Sequence, residues 1–91
     1  GGVSPSEITR VLAAADAPQD ILVVLLGLVD NTEERLEVAK KVGVASVVVD
    51  VLVMQKDRIS LVSYRGSLTP NSSDWFYAEN ALKNSSVKWK N

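Results

Sequence analysis

The side chains able to move protons here are carboxylates. Glu33, Glu34 and Glu37 cluster in one segment, and Asp50 interrupts a run of valines. Carboxylates are the remaining acid–base groups when imidazole is missing, and the chain has no histidine and no cysteine. That removes His-based triads, thiol nucleophiles, disulfides, Fe–S clusters and Cys/His zinc sites. The glutamates sit where a helix begins, and acids in a first turn favour the helix dipole while remaining in water. Asp50 must face solvent or a hydrogen-bond partner, since an unpaired buried carboxylate is costly. Arg58 and Arg65 bracket a short segment where they could hold an anion, although a surface ion pair is the simpler role. Gly27 and Gly43 are isolated, so no phosphate-cradling loop exists. The residues therefore imply no catalytic set, no metal site and no cofactor.

Elements must position what remains. The chain has 91 residues, 46% of them hydrophobic and 23% charged, with a formal net charge of -1. Those values fit one ordinary globular module and disfavour nucleic acid as its main ligand. Gly1-Gly2-Val3 reads as a linker end, with neither the positive nor the apolar region of a signal peptide. The most apolar stretch, Ile21 to Val29, is about nine residues and far short of the roughly 20 that span a bilayer. No direct membrane contact is expected from this segment.

Ser4-Pro5-Ser6-Glu7 predicts a helix start, with Ser4 as N-cap, Pro5 at the first helical position and Glu7 completing a capping box. Ile8, Val11, Leu12 and Ala15 then share a face, and Pro18 closes the segment. Ile21 to Val29 reads as a central strand buried on both faces. Asp30-Asn31-Thr32-Glu33 opens a second helix, which ends in Lys40, Lys41 and Gly43. The valine-rich run Ala45 to Met54 and the run Arg58 to Arg65, joined by Gln55-Lys56-Asp57, read as a hairpin. In its second strand Ile59, Leu61 and Ser63 share one face. Ser72 or Ser73 caps a third helix, Asp74 to Lys83, and Val87-Lys88-Trp89 alternates like an edge strand. After an N-terminal helix and linker (1–19), the expectation for 20–91 is a ferredoxin-like βαββαβ domain of class α+β. It has a four-stranded antiparallel sheet with two helices on one face.

Trp75, Phe76 and Tyr77 are consecutive, so they cannot all point inward on a helix whose residues are about 100° apart. Together with Tyr64 and Arg65 they form the candidate contact surface. Asn71-Ser72-Ser73 and Asn84-Ser85-Ser86 satisfy the N-glycosylation pattern, which makes Asn71 and Asn84 candidate acceptors.

Three family resemblances follow. Ser46-Val47-Val48-Val49 resembles the self-cleaving strand of SEA modules, but Ala45 stands in place of the scissile glycine, so autoproteolysis is not implied. Gly27-Leu28-Val29, Glu34-Arg35 and Gly43 to Val47 resemble the BON module of bacterial envelope and ring-forming proteins. The longest span, Asp20 to Asn91, is similar to the ferredoxin-like extracellular module of the dystroglycan family of adhesion receptors. There an apolar strand, a helix, a hairpin, a helix ending in Asn and a final Trp-Lys strand follow in the same order. That resemblance implies a non-catalytic protein-interaction module of a cell-surface, adhesion-type receptor, in an extracellular or secretory-lumen setting. Its partner would be a protein or a neighbouring domain of the same chain. The alternatives are a bacterial envelope or secretion-ring oligomerisation module, and an RNA-binding module using Tyr64 for stacking.

Overall fold

A computed structural model describes residues 2–91, and all regular structure among them is helical. The six helices are α1 (Pro5–Ala14), α2 (Gln19–Gly27), α3 (Thr32–Val42), α4 (Ala45–Met54), α5 (Arg58–Gly66) and α6 (Ser73–Leu82). They fall into two compact units, one ending at Val48 and the other beginning at Val49, inside α4.

In the first unit, α1 begins as its capping residues dictate, with the Ser4 hydroxyl accepting from the Glu7 N–H at 3.2 Å. Its expected apolar face is only partly used, since Val11 is 67% exposed while Ser6 and Thr9 are buried. Small hydroxyl residues let α1 approach α2 and α3 closely, and both hydroxyls are satisfied. Thr9 Oγ1 donates to the Pro5 carbonyl at 2.7 Å, and Ser6 Oγ donates to the Glu34 carboxylate on α3. Asn31 caps α3 by accepting from the Glu34 N–H at 2.9 Å. Gly43 ends that helix at φ 74°, a left-handed conformation that glycine adopts without a Cβ penalty. The Arg35 Nε–H closes the turn before α3 on the Val29 carbonyl at 3.1 Å.

In the second unit α5 packs on α6, with Leu61, Ala78 and Leu82 buried. Asp57 caps α5, accepting from the Ser60 N–H at 3.1 Å and from its hydroxyl at 2.7 Å. The C-terminal residues fold back onto that same corner. The Lys90 N–H donates to the Lys56 carbonyl at 2.9 Å, and the Asn91 side chain accepts from the Ile59 N–H at 3.0 Å. Ser72 caps α6 by accepting from the Trp75 N–H at 3.2 Å.

The ferredoxin-like α+β expectation is therefore corrected, because the described residues contain no strand. Its first three strands are α2, α4 and α5, and Val87 to Trp89 is irregular. Burial follows the helical repeat. Leu22 and Leu26 are buried on α2 and Val29 just beyond its end, while Ile21, Val24 and the C-capping Leu28 are exposed. On α4, Ala45, Val48, Val49 and Leu52 are buried at i, i+3, i+4 and i+7, and Val47 and Val51 are buried beside them. A helix apolar on most of its circumference gives the same continuous valine run as a buried strand. Ile59 and Leu61 would share a strand face, yet they are 67% and 0% exposed. Valine's modest helix penalty is overridden by packing of this kind.

Candidate functional site

In the second unit an open groove of about 590 Å³ lies between the end of α4 and α6. Val53 and Met54 line it from α4, Tyr77, Asn80 and Ala81 from α6, and Asn84 and Val87 from the segment beyond. Asp50 stands at its rim, where the Tyr77 phenol donates to Asp50 Oδ1 at 2.7 Å. This hydrogen bond, then burial, then the Asp50 charge hold the Tyr77 phenol up at about 12. The phenol is thus a fixed donor at neutral pH, and it orients the carboxylate so that Oδ2 is left for a second donor. The result is a mostly apolar floor with one aimed anionic acceptor.

The residues singled out in the sequence fall into separate places. Tyr77 and Asn84 line the groove, together with Asp50, whose interruption of the valines marks the exposed side of α4. Trp75 is half-buried, its ring edge-on to Phe76 with centroids 5.1 Å apart. The Arg65 guanidinium lies 5.7 Å from the Trp75 ring centroid and pairs with Glu79 at 2.9 Å. Arg65 and Trp75 therefore tie α5 to α6. Tyr64 is half-buried on α5, with its phenol raised by burial and then by the charge of Asp74. Phe76 is 46% exposed. Met54, Val53 and Val87 were not legible as site residues, because only the fold brings them together.

Asn71 is exposed, in the loop before α6, at φ 65°. Asn84 is exposed too, but its Oδ1 accepts from both the N–H of Ser86 (3.0 Å) and its hydroxyl (2.6 Å), which makes a tight side-chain turn after α6.

In the first unit a smaller, polar concavity lies where α1 and α3 begin, lined by Ser4, Glu7, Arg10, Glu33 and Glu37 among others. No group of three or more His, Cys, Asp or Glu among the described residues is arranged to hold a metal ion. No helix of the described residues is long and apolar enough to cross a membrane.

Among the described residues the chain is thus all-helical and carries an open, mostly apolar groove with a carboxylate at its rim. Its sequence is similar to that of spermatogenesis-defective protein 39 of Caenorhabditis elegans, with 40% identity over 73 residues. That match covers 80% of this chain and 14% of the relative. The homologues of Danio rerio and Mus musculus match over 84 residues, 92% of the chain and 17% of each relative, at 29% and 30% identity. The chain thus spans less than a fifth of the length of these relatives. No family model matches it, and no solved structure matches it significantly.

These relatives and the helical fold overturn the adhesion-receptor reading and the resemblance to the dystroglycan family. The bacterial ring alternative falls with the ferredoxin-like module it required. The RNA alternative falls because Tyr64 lies half-buried on a helix and not on the open face of a sheet. The SEA-like run Ser46 to Val49 is likewise part of helix α4.

Proposed function

We propose that this chain is a non-catalytic helical segment of a longer protein related to spermatogenesis-defective protein 39, and that it works by binding another protein. The observation that carries this reading is the groove. Its floor of Val53, Met54, Ala81 and Val87 suits an apolar side chain, and Asp50, oriented by Tyr77, suits a donor placed beside it. A partner supplying an aliphatic or aromatic side chain near an Arg, Lys or amide group would satisfy both. Binding at such a place draws on desolvation of the apolar anchor, with the hydrogen bond to Asp50 fixing its register.

Selection of peptides from a displayed random library against the chain tests this reading. The expected consensus pairs one large apolar residue with a basic or amide residue close by, and amide shifts on binding centre on Asp50, Met54, Tyr77 and Ala81. Shifts centred away from these residues, or no enriched sequence, would contradict it. A glycan on Asn84 would occupy the same groove, so modification there and partner binding exclude one another.

A further inference from the structure

Helix α2 carries two apolar faces where its unit needs one. Leu22, Leu26 and Val29 are buried, while Ile21, Val24 and Leu28 form an opposite stripe at i, i+3 and i+7 that is 45%, 66% and 58% exposed. Isolated exposed aliphatics need no explanation, but a contiguous stripe on one helix is the mark of an interaction surface. The stripe runs about 10 Å along the helix axis, which matches about two turns of a second helix packed ridge-into-groove.

Charge says what kind of helix fits. From Arg10 to Arg35 the chain has no intervening Lys or Arg, but it carries Asp16, Asp20, Asp30, Glu33 and Glu34. Asp20 sits in the first turn of α2 and Asp30 just beyond its end, so both ends of the stripe are flanked by acids. We propose that the Ile21–Val24–Leu28 face of α2 docks an amphipathic helix of a partner protein whose aliphatic stripe is flanked by lysine or arginine. The apolar contact supplies affinity, and the flanking acids select partners by sign and speed their encounter. The same acids oppose an anionic membrane and a second copy of this face, which would bring like charges together.

Two synthetic peptides of about four helical turns, with identical leucines at helical spacing, test this directly. One is flanked by lysines and the other by glutamates, and each is titrated into isotope-labelled chain while amide shifts are followed. The lysine peptide is expected to bind with shifts confined to residues 16–30, and the glutamate peptide about tenfold or more weaker. V24D should abolish binding and V24S weaken it, with helical circular dichroism retained, while I59D on α5 should leave it unchanged. Equal binding of both peptides, shifts elsewhere, or no binding would overturn the proposal. So would self-association of the free chain that V24D abolishes, which assigns the face to a second copy. Val24-dependent sedimentation with phosphatidylserine-containing vesicles would assign the face to lipid and overturn it equally.

Discussion

The phenol of Tyr77 on α6 donates to the carboxylate of Asp50 on α4 at 2.7 Å, a bond between residues far apart in sequence at the rim of the groove. Its pH dependence has a definite sign. The Tyr77 phenol stands at about 12 in the folded chain, against about 10 for a free tyrosine. A group raised on folding contributes fully below its unfolded value and loses that contribution as pH rises through the folded one. The bond should therefore persist to about pH 12, while its contribution to stability declines between about pH 10 and pH 12. The difference in phenolate absorbance between the wild type and Y77F isolates this residue from Tyr64. A Tyr77 that ionises near pH 10 would show that the bond does not form.

Helix α5 gives a sharp test of the fold. Leu61 is fully buried and Ile59 is 67% exposed, so L61A should cost about 2–5 kcal/mol and I59A no more than about 0.5 kcal/mol. Urea denaturation of both variants measures this. Similar losses at the two positions would restore a strand in which they share a face.

Two glycines should respond in opposite directions. Gly43 has φ 74°, and nothing lies within 4 Å of the place where a Cβ would be added, so G43A meets only backbone strain. A loss of about 1–2 kcal/mol is expected. Gly27 is equally open but at ordinary φ, in the last position of α2, so G27A should be neutral or stabilising by up to about 1 kcal/mol. Thermal unfolding of the pair decides, and a destabilised G27A would indicate crowding that the structure does not contain.

Arg65 faces both Trp75 and Glu79, with side-chain exposures of 26% for Arg65 and 17% for Glu79 in their ion pair. A double-mutant cycle on R65A and E79A should give a coupling of about 0.5–1 kcal/mol, reduced by salt. R65K keeps the charge but loses the planar stack, so it should recover only part of the wild-type stability. Full recovery would mean that the Trp75 contact contributes nothing.

Local signals made part of this fold readable. Ser4, Asn31, Ser72 and Gly43 mark helix ends through cap chemistry that depends only on neighbouring residues, and α1, α3 and α6 lie where those residues place them. The apolar runs carry no such marks. Ile21 to Val29 and Ala45 to Met54 are hydrophobic at nearly every position, so period 2 and period 3.6 cannot be told apart in them. The short turn at Gln55 to Asp57 is real, but it joins two helices, with Lys56 at φ 57°. Of the groove, Tyr77 and Asn84 stood out by residue type and Asp50 by interrupting the valines. Met54 and Val87 carried no signal, since an exposed Met and a lone Val gain meaning only from what they face.

The groove is the centre of the functional account, and blocking it is the most direct test. A peptide selected on the chain should lose at least about tenfold in affinity against A81W, whose indole fills the floor, and against M54K, which charges it, as measured by fluorescence anisotropy. I59D, on an exposed face of α5, should bind as the wild type does. Undiminished binding to both folded groove variants would contradict the assignment of this groove as the binding site.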